Sequence, residues 1–251
     1  MLGLDFPPIS HLFEWPDFAF DGTPLAMNKT VLIYLMAFAL TLGLFLIAGA
    51  RKALVPTGLQ TIAESGIEFV ENGIIEPTMG AAGKKFLPLL TTMFFFIFFT
   101  NIFEVIPFIQ FPANARMALP LAMAVMVWGI YNYQGFKHNG LGYLKNHLFP
   151  KGVPIAVLPL VALIELLQLL VIRPASLAIR LWANMVAGHL LLVTFAVLSA
   201  ALWDSTYIGA AAPFVMLVLM TGFEILVSFL QAFIFTILTA VYIDGSIHSD
   251  H

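Results

Sequence analysis

One arginine limits what this chain can fold into more than any other residue. Arg180 lies inside residues 155–202, a stretch apolar enough to read as continuous helix removed from water. A cation at bilayer depth costs roughly 3 to well above 10 kcal/mol, so it normally faces a wet cavity or an opposing charge and not lipid. No acid lies within one helical turn of it, so its counter-charge has to come from elsewhere in the fold or from another protein. Composition extends the point to the whole chain: 61% of its 251 residues are hydrophobic and 10% charged, against about 25% charged in soluble domains. The expected class is an all-α integral membrane protein with several spans.

Ser176, Arg180 and Asn184 recur every four residues and share one helix face, which Ala187 and Gly188 are expected to continue. Small side chains let a second helix come close. The face therefore reads as one positive charge offered to a tightly packed partner. His189 is half a turn out of phase with Arg180 and is expected to look the other way.

Pro174 and Ser176, followed by Arg180-Leu-Trp-Ala-Asn184-Met-Val-Ala-Gly188-His189, resemble the signature of subunit a of the F-type ATP synthase membrane sector. The resemblance implies a stator subunit, not catalytic by itself, whose arginine faces a rotating ring of c subunits that carry acidic residues in mid-membrane. It also implies peripheral-stalk b subunits and the other ATP synthase subunits as partners, in a bacterial plasma (inner) membrane.

Residues 1–27 hold Asp5, Glu14, Asp17 and Asp21 among prolines and aromatics, and are expected to form an arm outside the bilayer. They lack the charged start and apolar core of a signal peptide. Residues 28–251 are expected to form a single transmembrane domain. Its first crossing, residues 30–50, has 21 uncharged residues, about 31 Å of helix. Residues 57–79 place Glu64, Glu68 and Glu71 on one face and Ile62, Phe69, Val70 and Ile74 largely on the other, the pattern of an amphipathic surface helix. Interfacial helices usually carry basic polar faces, so this acidic one is expected to meet protein or water.

The next span, residues 86–106, ends near Asn101 and Glu104, ahead of Pro107 and Pro112. A glutamate at a helix end can simply reach the interface. The spacing Asn-Ile-Phe-Glu-Val-Ile-Pro also resembles the Asn-x-x-acid-x-x-Pro element that the family carries near its outer proton entrance. Residues 117–136 then return inward. Arg51, Lys52, Lys84, Lys85, Lys137, Lys145 and Lys151 fall on the side assigned to the cytoplasm, Lys29 and Arg116 outside, and Arg173 and Arg180 within the membrane. That asymmetry places the N-terminus outside.

Residues 155–202 amount to about 72 Å of helix, more than twice a hydrocarbon core. Hydropathy alone cuts them at Pro174 and counts six crossings. The resemblance implies five, with residues 155–243 forming a long tilted hairpin against the c ring and the C-terminus inside. Together with the surface helix, that makes about five membrane-embedded helices plus one.

Thr221, Glu224, Ser228 and Gln231 follow spacings of 3, 4 and 3 on an apolar helix starting at Pro213, so they share a stripe. Four polar residues on one stripe suit a water-lined or hydrogen-bonded path. The resemblance implies that Glu224 and His189 face each other as an acid and imidazole pair, and that Gln231, within Leu230-Gln-Ala-Phe-Ile-Phe235, lies near Arg180, with Asn184 and Gln231 holding its hydrogen bonds. A glutamate raised by burial and a histidine both exchange protons near neutrality. Glu165 matches the acid of the family's inner exit, but one position too far from Pro174, so an extra residue or a local bulge has to intervene. Arg173, next to Pro174, can snorkel to the interface.

No cysteine is present, and one histidine with one glutamate falls short of a zinc site. No cofactor is expected. A net charge of −3 without a basic cluster gives no reason to expect nucleic acid. The alternative function is a self-contained proton-coupled secondary transporter, which calls for an internal repeat that this sequence does not display. An intramembrane enzyme lacks paired aspartates, a Ser/His dyad or a zinc motif.

Overall fold

The computed structural model describes residue 8 and residues 26–50, 55–140, 142–149, 154, 157–203 and 207–248. Most of the arm at 1–27, together with Arg51, Lys52, Lys151 and His251, lies outside the described residues. The described chain is helical, with no extended strand among its elements. Helix α1 is Lys29–Ala50, α2 is Leu59–Val70, α3 is Leu87–Ile102, α4 is Ala118–Asn139, α5 is Gly142–Leu148, α6 is Leu158–Leu167, α7 is Arg173–Trp203 and α8 is Tyr207–Ile247. Four stretches are long and apolar enough to cross a membrane: Lys29–Ala50, Leu59–Ile102, Leu158–Trp203 and Gly209–Ile247. Helix α4 has the length as well, at 22 residues, but turns polar from Asn132 onward and is not among the four.

Two wide π turns interrupt the helices, and both sit just ahead of a proline. Helix α2 passes through Glu71–Ile75 before Pro77, and α6 passes through Gln168–Ile172 before Pro174. A proline has no N–H to give and its ring crowds the carbonyl four residues back. Widening the turn relieves that crowding and inserts one residue. This second π turn falls between Glu165 and Pro174, the interval in which the resemblance calls for an extra residue or a local bulge.

The described residues divide into two compact units, and α1, α3, α7 and α8 each contribute to both. In the first, Ile33 and Ala37 of α1 pack with Phe103, Phe111 and Ala113. The Tyr34 hydroxyl donates to the Ala113 carbonyl at 2.7 Å. Asn114 is fully buried, and its amide donates to Thr100 Oγ1 at 3.0 Å and to Asn101 Oδ1 at 2.7 Å. Trp182 Nε1 donates to the Ala115 carbonyl at 2.7 Å. These bonds give the loop between α3 and α4 a defined shape. Phe108 and Gln110 take positive φ, 72° and 34°, a conformation that non-glycine residues adopt at a cost.

In the second unit, the Leu169 carbonyl lies within the π turn and accepts from Trp128 Nε1 at 3.0 Å and Tyr131 Oη at 2.8 Å. Gly135 leaves room for the Tyr143 ring, which would stand 2.5 Å from an added Cβ. Asn139 donates to the last carbonyls of α8, those of Ser246 and Ile247, at 3.1 Å each. Replacing Tyr131 with phenylalanine removes one of the two donors to Leu169 and is expected to cost about 1 kcal/mol. The Trp128→Phe, Tyr131→Phe double variant, which leaves that carbonyl unsatisfied, is expected to cost about 1–3 kcal/mol. Thermal unfolding of the detergent-solubilised protein reads both; an unchanged midpoint in the double variant contradicts the account.

Several expected boundaries move. The span expected over 86–106 ends as helix at Ile102, so Glu104 stands in the turn beyond it. The last helix does not start at Pro213: that proline lies inside α8, which begins at Tyr207.

Candidate functional site

Two faces of α7 carry the candidate chemistry, and helical phase separates them. Arg180, Asn184 and Ala187 are exposed, whereas Gly188 and His189 are buried. At about 100° per residue, position 187 returns to within about 20° of Arg180, while position 188 stands about 80° away. Gly188 therefore belongs to the inner face and not, as expected, to the contact face.

The reason for a glycine at 188 is Glu224. A Cβ there would lie within 2.6 Å of the Glu224 Cδ and Oε2 atoms, closer than any real contact. The missing side chain makes space for a carboxylate. Glu224, Ser228 and Gln231 are buried along α8, at 7%, 4% and 2% exposure. Thr221, one turn earlier on the stripe, bonds back to the Leu217 carbonyl.

The acid at ion-pair distance from His189 is Glu104. His189 Nδ1 and Glu104 Oε1 are 3.4 Å apart, although Oε1 lacks the alignment of a hydrogen bond. Glu104 is 3% and Asn101 5% exposed, and the Glu104 N–H donates to the Asn101 carbonyl at 3.1 Å. Glu224 stands close enough to feel the charge of both Glu104 and His189. The expected pair is thus a cluster of three, in which α7 and α8 bring in His189 and Glu224 and the turn after α3 brings in Glu104. A cavity of about 340 Å³ opens onto it, lined by Lys29, Glu104, Gln110, Phe111, His189 and Thr221 among others. It has room for several waters.

Asn184 and Gln231 do come together, but on each other: Asn184 Nδ2 donates to Gln231 Oε1 at 3.0 Å. The amide oxygen of Gln231 is engaged, and its buried Nε2 has no hydrogen-bond partner. Arg180 is exposed and makes no ion pair with any described acid.

Glu165, in α6, is partly buried. His147, on α5, was not singled out from the sequence. Its Nε2 is buried without a hydrogen-bond partner. Burial first, and then the charge of Arg173, hold its pKa below the ordinary histidine value, while Glu165 pulls the other way. Arg173 lies over the Tyr242 ring at 5.5 Å, a cation–π contact. His248 is exposed and pairs with Asp244 at 2.9 Å. Lys29 is a further miss: the charge count set it outside, and nothing in its local pattern signals that its helix end meets the cavity. Among the described residues no three His, Cys, Asp or Glu side chains converge to hold a metal.

The arrangement can pass protons. Three titratable groups share a buried cluster next to a cavity large enough for several waters, and a cation stands on a different face of the same helix. The family described as "ATP synthase A chain" matches residues 31–244. The chain is similar to the protein named ATP synthase subunit a in Frankia alni, at 37% identity over 97% of this chain and 87% of the relative. It is similar also to that of Parafrankia sp., at 41% over 94% and 81%, and to that of Maricaulis maris, at 37% over 98% and 99%.

Proposed function

Because the chain belongs to the ATP synthase A chain family, we propose that it conducts protons through two offset half-channels to and from the carboxylates of a c ring. At the coarser level the family membership is enough: this is a multi-pass membrane subunit of ATP synthase that takes part in proton translocation and is not catalytic alone. The finer reading assigns the outer half-channel to Asn101, Glu104, His189 and Glu224, continued by Ser228 and Gln231 along α8, and the inner one to Glu165. Residues 155–243 form the tilted hairpin of a single transmembrane domain in this reading, with the N-terminus outside a bacterial plasma membrane and the peripheral stalk b subunits as further partners.

The observation that carries it is the buried Glu104, His189 and Glu224 cluster beside a cavity. Buried titratable groups in a membrane protein are expensive unless they pair or meet water, and they mark ion paths. Here they do both. Protons enter the cavity, pass between carboxylate and imidazole, and load a ring carboxylate; after most of a rotation they leave past Glu165. Arg180 stands between the two paths, where its charge favours the ionised form of each passing carboxylate. Each charge that crosses 100 mV carries about 2.3 kcal/mol, so several are needed per ATP, and a rotor is what lets them be collected.

Glu224→Gln keeps shape and removes the exchangeable acid. Proton conductance of membranes stripped of the catalytic sector is expected to fall about tenfold or more, on the scale of a lost acid–base group, with the subunit still present and the c ring copurifying. Unchanged conductance would remove Glu224 from the path.

A further inference from the structure

We propose that Lys29 is a specificity-determining residue of the outer cavity: its fixed positive charge keeps alkali-metal cations out of the space from which protons reach Glu104 and His189. This inference rests on the half-channel reading above and goes beyond it, because ion choice in such a reading is otherwise left to the rotor.

Lys29 is the first residue of α1. Its ammonium lies 5.1 Å from the centroid of the Phe111 ring, a cation–π contact that holds the charge in place. Phe111 and Lys29 both line the cavity that contains Glu104 and His189. Phe111 is itself buried against Ile33 and Ala37, so the platform under the ammonium is part of a packed cluster.

A metal cation and a proton meet that charge differently. Sodium or potassium has to enter as a whole ion and be held by several oxygens. Among the lining side chains these come from Glu104, Gln110 and Thr221, and Lys29 lines the same cavity. A proton instead ends in a covalent O–H or N–H bond on Glu104 or His189, and water carries it there by exchange along hydrogen bonds. The ammonium opposes both charges, but only the proton has a bond strong enough to offset the opposition. One unit charge about 8 Å away at an effective dielectric constant of about 30 disfavours a second cation by roughly tenfold.

The test uses the whole ATP synthase in liposomes, with ATP-driven proton uptake followed by a pH-sensitive dye while lumenal choline chloride is replaced by sodium chloride at constant ionic strength. The readout is the ratio of rates in sodium and choline. In the unaltered protein, and in Lys29→Arg, the ratio is expected to stay near one. In Lys29→Gln and Lys29→Met, sodium is expected to slow uptake, with half-inhibition at roughly tenfold lower sodium than in the unaltered protein. A ratio that is the same in all four overturns the proposal. So does loss of uptake in choline by both neutral variants, which would make Lys29 indispensable to transfer itself. Glu224→Gln run alongside separates the two claims: if it pumps normally, the half-channel reading fails, whereas if it fails to pump and the Lys29 ratios do not differ, only the selectivity role does.

Discussion

Replacing Arg180 with alanine is expected to reduce ATP-driven proton pumping in inverted membrane vesicles by a hundredfold or more, while the complex still assembles. The side chain is exposed, so its loss opens no cavity, and it makes no ion pair with a described acid that would be left stranded. Its charge, exposed on an otherwise largely apolar helix, is nevertheless costly in a membrane. A cost of that kind persists where a partner of opposite charge recoups it. About 2.7 kcal/mol of lost differential stabilisation corresponds to a hundredfold rate change, a modest demand on one charge in a low-dielectric contact. Arg180→Lys keeps the charge but gives up the planar fork, and is expected to fail nearly as badly. Dye quenching in vesicles, with ATP hydrolysis measured in parallel, reads the effect; normal pumping by the alanine variant would sink the assignment.

The second large effect is expected from one methyl group. Gly188→Ala improves intrinsic helix propensity by up to about 1 kcal/mol, and the protein should be no less stable. The new Cβ, however, falls on the Glu224 carboxylate, so the carboxylate has to swing away from its place beside His189 and Glu104. Proton conductance is expected to drop about tenfold or more, because a misplaced acid loses most of its relay value. Shortening the acid gives the discriminating control: in Gly188→Ala with Glu224→Asp, part of the conductance should return. If Gly188→Ala conducts like the unaltered protein, or the double variant is worse than either single one, the proposed fit between glycine and carboxylate is wrong.

These two residues also show where reading the chain by itself succeeds. Arg180 stands out because a charge inside an apolar run has few physical excuses, and its phase relative to His189 follows from 100° per residue alone. The resemblance called for an extra residue or a local bulge between Glu165 and Pro174, and a π turn lies in that interval. Each of these is a local property of one helix.

Gly188 was misplaced because two neighbouring positions on a helix differ by a large angle, and an expectation built on small size ignored it. The acid facing His189 at ion-pair distance came out as Glu104 because it depends on how the turn after α3 folds back, and that turn is shaped by Asn114, Tyr34 and two residues with positive φ. Asn184 and Gln231 bond to one another although the resemblance assigned both to Arg180. Lys29 was counted only as an outside charge, and its place in the lining of the cavity comes from the fold.

By itself the amino-acid order determined that this protein is built of apolar helices, which faces of them are polar, and that Arg180 has no acid in its own turn, since all of these depend on periodicity and composition within one segment. Only the tertiary structure decided which acid meets which imidazole, where the cavity lies and why a glycine stands opposite a glutamate. Those choices are made by packing between segments far apart in the chain, where a shift of one residue exchanges one partner for another at almost no cost to the pattern.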